Sequence, residues 1–303
     1  MWKYVLKRVA LAIFTIFIII AITFFVMNAI PGGPFQTEKA PDPAVQKMLM
    51  QRYNLDKPLW EQFFIYLGNI FHGDFGISLK NGREISTIIG ESFRISAEIG
   101  GIAIVVALIP GLIFGSLAAL MRNRWEDRLI MFSSTVFVAV PSFVLATILL
   151  LIFSLKLKLI PVWTVDNPNY LLPIIALALY PMSYITRLTK SSMLDALGQD
   201  YVRTARAKGV SETRIIFKHA LRNALIPVIT YLGPMTAYII TGSLVVETVF
   251  TIGGLGTKFV SSINNRDYPL IMATTIFLAV LLVFLTLLSD LVYKLVDPKI
   301  NFE

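Results

Sequence analysis

Six separate apolar runs, each long enough to cross a bilayer, constrain this chain more than any other feature. A hydrocarbon layer about 30 Å thick is spanned by about 20 helical residues rising about 1.5 Å each. The runs near residues 7–30, 95–121, 129–155, 171–189, 224–246 and 269–293 meet that requirement. In lipid the backbone must satisfy its own hydrogen bonds, which leaves helices and closed barrels. Runs this continuous leave no room for the alternating strands of about ten residues that build a barrel. With 56% apolar and only 15% charged residues, the chain lies outside the range of a soluble domain. The expected fold class is an all-α membrane protein with six transmembrane helices, an external helical or irregular segment after the first span, and a cytoplasmic loop between spans four and five.

Orientation follows from the cations. Lys3, Lys7 and Arg8 precede the first run and favour an inside N-terminus. With an even number of spans, the C-terminus is then also inside. On that topology 16 of the 27 cations face inward. Seven of the other 11 sit in the long region between the first two runs, where they weigh little. The net charge of +8 is therefore mostly topological, and nucleic acid is not an expected partner. The first run exceeds a signal-peptide core, and Pro31 and Pro34 crowd the place of cleavage, so it reads as a retained span. The absence of cysteine excludes disulfides and thiolate-bound metals.

Between the first two runs, residues 31–93 carry helix-start signals at Asp42-Pro43 and before Pro58. Trp60, Phe63, Phe64, Leu67 and Ile70 repeat at helical spacing. That stripe fits a helix lying on the membrane or a docking surface for an external partner. Gly68, Gly73, Gly76 and Gly82 then mark turns.

The stretch from Asp200 to Pro227, DYVRTARAKGVSETRIIFKHALRNALIP, is a basic, Gly-interrupted loop wedged between apolar runs. Asp200 can cap a helix ending before Gly209, and Ser211 can cap a second one through Ile215, Ile216 and Ala220. Two short helices are expected to project as a handle for another protein. Attraction of Arg203, Arg206 and Lys208 to anionic headgroups, about 1 kcal/mol each, is the competing account of its charge.

Polar groups inside spans mark candidate pathways. Thr230, Tyr231, Thr236, Tyr238, Thr241 and Ser243 recur through the fifth run and suggest a water-filled path. Gly111 and Gly115 form a small-xxx-small pair, which points to close helix packing. Catalysis is hard to seat here. His72 and His219 fall on opposite faces, so neither a His-based triad nor an HExxH site can be assembled. The run from Gly253 to Lys258 lacks the order of a phosphate loop and reads as a re-entrant turn.

What remains is a channel or a carrier, and a carrier driven by ATP without an ATP site must borrow one through the handle. Arg203-Thr204-Ala205, with Gly209 four positions on, resembles the cytoplasmic EAA loop of bacterial ABC importer permeases. Arg203, Thr204 and Leu221-Arg222 depart from the general loop pattern, which has Glu, Ala and a closing Leu-Pro there. The form ARAKG followed by HALRNALIP is similar to the peptide permeases. So are YNLDKPLWEQFFIYLGNIFHGDFGISL from Tyr53, VPSF from Val140, VVETVFTIGGLG from Val245, NRDYP from Asn265 and DLVYKLVDPKI near the end. Gly253 stands where many relatives have Pro. The resemblance covers essentially the whole chain and is to the B-type transmembrane subunit of dipeptide and oligopeptide importers.

That resemblance implies a type I ABC importer permease in a bacterial plasma (inner) membrane, with both termini cytoplasmic. Residues 1–94 would form the first span plus the external segment. Residues 95–303 would form a five-helix permease core with its EAA-like loop at 190–223. The implied partners are a second, homologous C-type permease subunit, two ATP-binding subunits, and a periplasmic or extracellular substrate-binding protein that delivers peptide. ATP and Mg²⁺ would sit on the ATP-binding subunits, with no cofactor on this chain and no catalysis by it. Arg203, Thr204, Ala205, Arg206, Lys208, Gly209, Val210, Ser211 and Glu212 would form the coupling loop, with Ala205 and Gly209 allowing close approach. Substrate would move inward by alternating access. Related systems for nickel complexes, glutathione or oligosaccharides are the nearest alternatives, and an ATP-independent channel is the alternative from another class.

Overall fold

The computed structural model describes residues 2–30, 56–241 and 243–296. Pro31, Pro34 and the Asp42-Pro43 start signal lie outside the described residues. The described chain is helical, with one isolated bridge between Ile77 and Glu84. Among the described residues five helices are long and apolar enough to cross a membrane, six when a bent pair is counted as one span.

Helix α1, Trp2–Ala29, has no glycine or proline to interrupt it. Helix α2, Leu59–Phe71, starts after Pro58, whose fixed φ suits the position before a first turn. It ends at His72 with Gly73 at φ 75°, where Gly73 N–H reaches the Ile70 carbonyl and Asp74 N–H reaches Asn69. Helix α3, Ile85–Leu120, begins ten residues before the expected span. Its extra turns carry Glu91 and Arg94, which hide them from a reading based on apolar runs. The expected third span is broken in two: α4, Trp125–Ala139, and α5, Ser142–Leu149, which continues as a π-helical turn to Lys156. The two meet at 103°. Pro141 has no N–H to continue the ladder, and it pushes Val140 out of the helical region to φ −85°, ψ 126°.

Helix α6 is Leu171–Leu197 and α7 is Asp200–Ala207. Then α8, Glu212–Arg214, passes through a π-helical turn at Ile215–Ala220 into α9, Leu221–Ile240. The second helix of the handle is thus the start of a span, not a separate short helix. Helix α9 stops at Thr241, and α10, Leu244–Val249, and α11, Leu255–Asn264, follow before α12, Tyr268–Val296.

Residues 1–94 with 253–284 form one compact unit, and residues 95–252 with 285–303 form another. In the first, Phe63 of α2 is buried with Ile20 and Phe24 of α1 and Ile276 of α12. A second cluster joins Ile85, Ile88 and Ile89 to Leu255, Leu270 and Ala273. The buried Asp267 carboxylate accepts from the Ser78 hydroxyl and, at 3.3 Å, from the Leu79 N–H.

In the second unit α6 packs against α4, α5 and α9. Its core joins Ile99, Ala103 and Ala107 of α3 to Ala146, Ile185, Val228 and Ile239. Because lipid is as apolar as the core, dispersion and close approach hold these helices together, which small residues permit. A Cβ on Gly111 would lie 2.9 Å from Ile185, and one on Gly115 would lie 2.6 Å from the Thr186 carbonyl. The Gly111/Gly115 pair therefore packs α3 directly on the backbone of α6.

Candidate functional site

The loop after α6 is built around one turn. Gln199, not Asp200, occupies the N-cap position of α7, and Asp200 stands in the first turn, where its charge suits the helix dipole. Its 3.6 Å pair with Arg203 is solvated and contributes little. The Thr204 hydroxyl donates to the Asp200 carbonyl at 2.9 Å. At the far end Gly209 takes φ 76°. Gly209 N–H donates to the Arg206 carbonyl at 2.9 Å, and Val210 N–H to the Ala205 carbonyl at 3.1 Å. This is a Schellman closure, with Val210 and Ala205 supplying its usual apolar contact.

Val202, Ala205 and Ile215 are buried together, with Val210 against them. Ala205 therefore faces inward, and the exposed surface is made by Arg203, Thr204, Arg206, Lys208, Ser211 and Glu212. Ser211 holds the N-cap position of α8 without a side-chain bond. Arg206 reaches across the turn to Glu212 in two bonds, 2.8 and 3.2 Å. That bond with Glu212 holds the guanidinium above its already high pKa. The Tyr201 hydroxyl accepts from the Asn223 amide at 2.8 Å, tying α7 to α9.

A cavity of about 630 Å³ lies where the α4–α5 break faces α6 and α9. Pro141 and Phe143 come from the break, Tyr180 and Pro181 from α6, and Tyr231, Pro234 and Tyr238 from α9. Ser243 also lines it, while its Oγ accepts from the Val246 N–H at 3.2 Å to start α10. Thr230, Thr236 and Thr241 are not on its wall. Thr230 and Thr241 donate instead to the carbonyls of Ile226 and Tyr238, both at 3.0 Å. The Tyr184 and Tyr231 rings lie 4.3 Å apart beside it. Pro181 also removes the amide that would bond to the carbonyl of Leu177, a residue of the wall. The cavity is mostly apolar, with the hydroxyls of Ser142, Tyr180, Tyr231, Tyr238 and Ser243 among its lining residues.

Residues 111–302 match the family described as binding-protein-dependent transport system inner membrane component, and residues 1–110 match the N-terminal part of the membrane component of such systems. The chain belongs to this family of inner membrane transport components. The dipeptide transport system permease protein DppB of Bacillus subtilis (strain 168) is 47% identical over 305 residues, covering 100% of this chain and 99% of that protein. The oligopeptide transport system permease protein OppB of Haemophilus influenzae is 41% identical, with 100% of both chains covered. Among solved structures, the MetNI methionine ABC transporter in an inward-facing form aligns with a TM-score of 0.58 at 15% identity, covering 69% of this chain and 96% of that one. An amino acid ABC transporter with histidines aligns at 0.54 and 16%, covering 71% and 95%. These likenesses show the type I ABC importer permease fold.

Two features of this inner membrane component escaped the reading from sequence. Glu247 is only 3% exposed and accepts a 2.7 Å bond from the buried Ser96 hydroxyl. Its signal was a lone carboxylate in the apolar run from Leu244 to Val249, since a charge at that depth is costly without partners. At the other end of the unit the buried Asp127 carboxylate pairs with Lys190 and accepts from the Asn123 N–H at 3.1 Å. Nothing in the spacing of 63 residues announces that pair.

Proposed function

We propose that this chain is the transmembrane-pathway subunit of an ATP-driven importer for di- or oligopeptides. One observation carries the reading: 47% identity to a dipeptide permease over the full length of both chains. The pathway runs through the Tyr231–Tyr238 cavity and is completed by a second, related permease subunit. An external binding protein delivers the peptide. ATP and Mg²⁺ belong to two partner ATP-binding subunits, and this chain hydrolyses nothing. Both termini lie in the cytoplasm, with residues 1–94 carrying the first span and external segment and residues 95–303 the permease core.

The exposed face of α7 and the turn at Gly209 receive the motion of the ATP-binding subunits. Because α7 is pinned to α9 by Tyr201–Asn223 and by the Val202–Ile215 cluster, a displacement of the loop is passed to the helix that bears Tyr231 and Tyr238. Alternating access follows when two arrangements of that unit expose the cavity to opposite faces. The deciding experiment is purification from native membranes in mild detergent, then reconstitution with the recovered partners. Uptake of labelled di- and oligopeptides that requires ATP supports the proposal. Recovery of this chain alone, or ATP-driven uptake of a non-peptide only, refutes it.

A further inference from the structure

We propose that α2, in the segment expected to stand outside the membrane, is embedded in the bilayer leaflet that borders the C-terminal end of α1. The inference rests on α1 being a membrane span and not on which substrate is carried.

Two observations fix the depth of α2. Phe63 of α2 lies against Phe17, Phe24 and Phe25 of α1, with ring centroids 6.1, 5.4 and 5.4 Å away. Those partners sit four to twelve residues before Ala29, about 6 to 18 Å back from that end of the helix at about 1.5 Å per residue. With a hydrocarbon layer about 30 Å thick, that stretch of α1 is inside the apolar layer, and so is whatever packs on it.

The faces of α2 agree. At about 100° per residue, its apolar side chains from Tyr66 round to Phe64 fill an arc of about 160°. Only half of that arc is packed: Phe63, Tyr66, Leu67 and Ile70 join a cluster with Ile20 and Phe24 of α1 and Ile276 of α12. The other half carries Trp60, Phe64 and Phe71 at i, i+4 and i+11, exposed by 63, 62 and 81%. The remaining side holds Glu61, paired with Lys57 at 2.9 Å, with Gln62, Gly68 and Asn69, and Ile65 as its one apolar side chain.

The uncovered aromatic stripe belongs to a helix packed on α1, which itself exposes Phe14, Ile22 and Phe25, the apolar surface that a span turns to lipid. Lipid acyl chains are therefore the occupant, with Trp60 at the level that indole rings favour. A docking partner would have to share this stripe with the lipid around α1.

The absence of cysteine makes the test direct. Single nitroxide labels at Trp60→Cys, Phe64→Cys, Phe71→Cys, Asn69→Cys and Phe14→Cys are read in phosphatidylcholine nanodiscs for collision with oxygen and with a water-soluble nickel chelate. Labels at 64 and 71 are expected to behave like the one at 14, reached by oxygen and shielded from nickel, while the label at 69 is reached by nickel. Nickel access at 64 and 71 overturns the inference and leaves the span reading intact if 14 stays shielded. Labels at 64 and 71 reached by neither reagent show a protein cover and also overturn it. Nickel access at 14 overturns the span reading itself. Three positions on the stripe keep the test decisive if one variant fails to fold.

Discussion

At Gly209 the backbone sits at φ 76°, while a Cβ there would meet nothing within 4 Å. The constraint is conformational, not steric. Gly209→Ala should destabilise the turn by about 1–2 kcal/mol, the usual cost of the left-handed region for a residue with a Cβ. In the proposed importer, Gly209→Asp should lower peptide uptake while ATP hydrolysis by the partners continues, as checked by paired uptake and phosphate-release assays. Uptake equal to that of the parent chain would contradict the role given to the turn. Glu247 makes a different demand. Ser96→Ala removes a donor from a buried carboxylate and should cost about 1–3 kcal/mol, read as a lowered unfolding midpoint in detergent. Gly209 was legible in the sequence because its chemistry is local: a glycine after a short basic helix has few other uses. The inward turn of Ala205 and the Ser96–Glu247 bond were not, because both depend on which helix faces arrive together.

Among the elements, the sharpest departure from expectation is the bend at Pro141. Length and hydropathy describe one span from 129 to 155, whereas the proline divides it and swings Phe143 to the cavity wall. Pro141→Ala restores an amide donor and should allow α4 and α5 to straighten. Membrane insertion is expected to persist and uptake to fall, measured by fractionation and transport of the same preparation. Apolar runs carry length but not direction, so the bend was not readable from hydropathy. Across the turn between α7 and α8, Arg206 and Glu212 offer a cleaner test. Arg206→Glu and Glu212→Arg should each loosen the loop, and the double exchange should restore its protection from proteolysis, with the rescue fading at high salt as expected for a solvated pair.

At the level of the whole molecule, topology is the property most open to measurement. With no native cysteine to confuse labelling, a membrane-impermeant maleimide should reach Lys80→Cys from outside and Lys208→Cys only from inside. The reverse pattern would invert the orientation taken from the positive residues. The six spans could be read from sequence because each obeys a one-dimensional rule of length and polarity, and the family through stretches such as ARAKG and HALRNALIP that resemble the peptide permeases. The grouping into units could not, since residues 253–284 return to residues 1–94. Contacts of that kind are set by pairing across great chain separation.

The bond from Ser78 to Asp267 crosses 189 residues. At a synthesis rate of about 5–20 residues per second, Asp267 leaves the ribosome about 10 to 40 s after Ser78. The segment before α3 therefore waits in the nascent chain, its serine and neighbouring backbone amide without their final acceptor, while four further spans are inserted. Water fills that place until the residues just ahead of the last helix arrive.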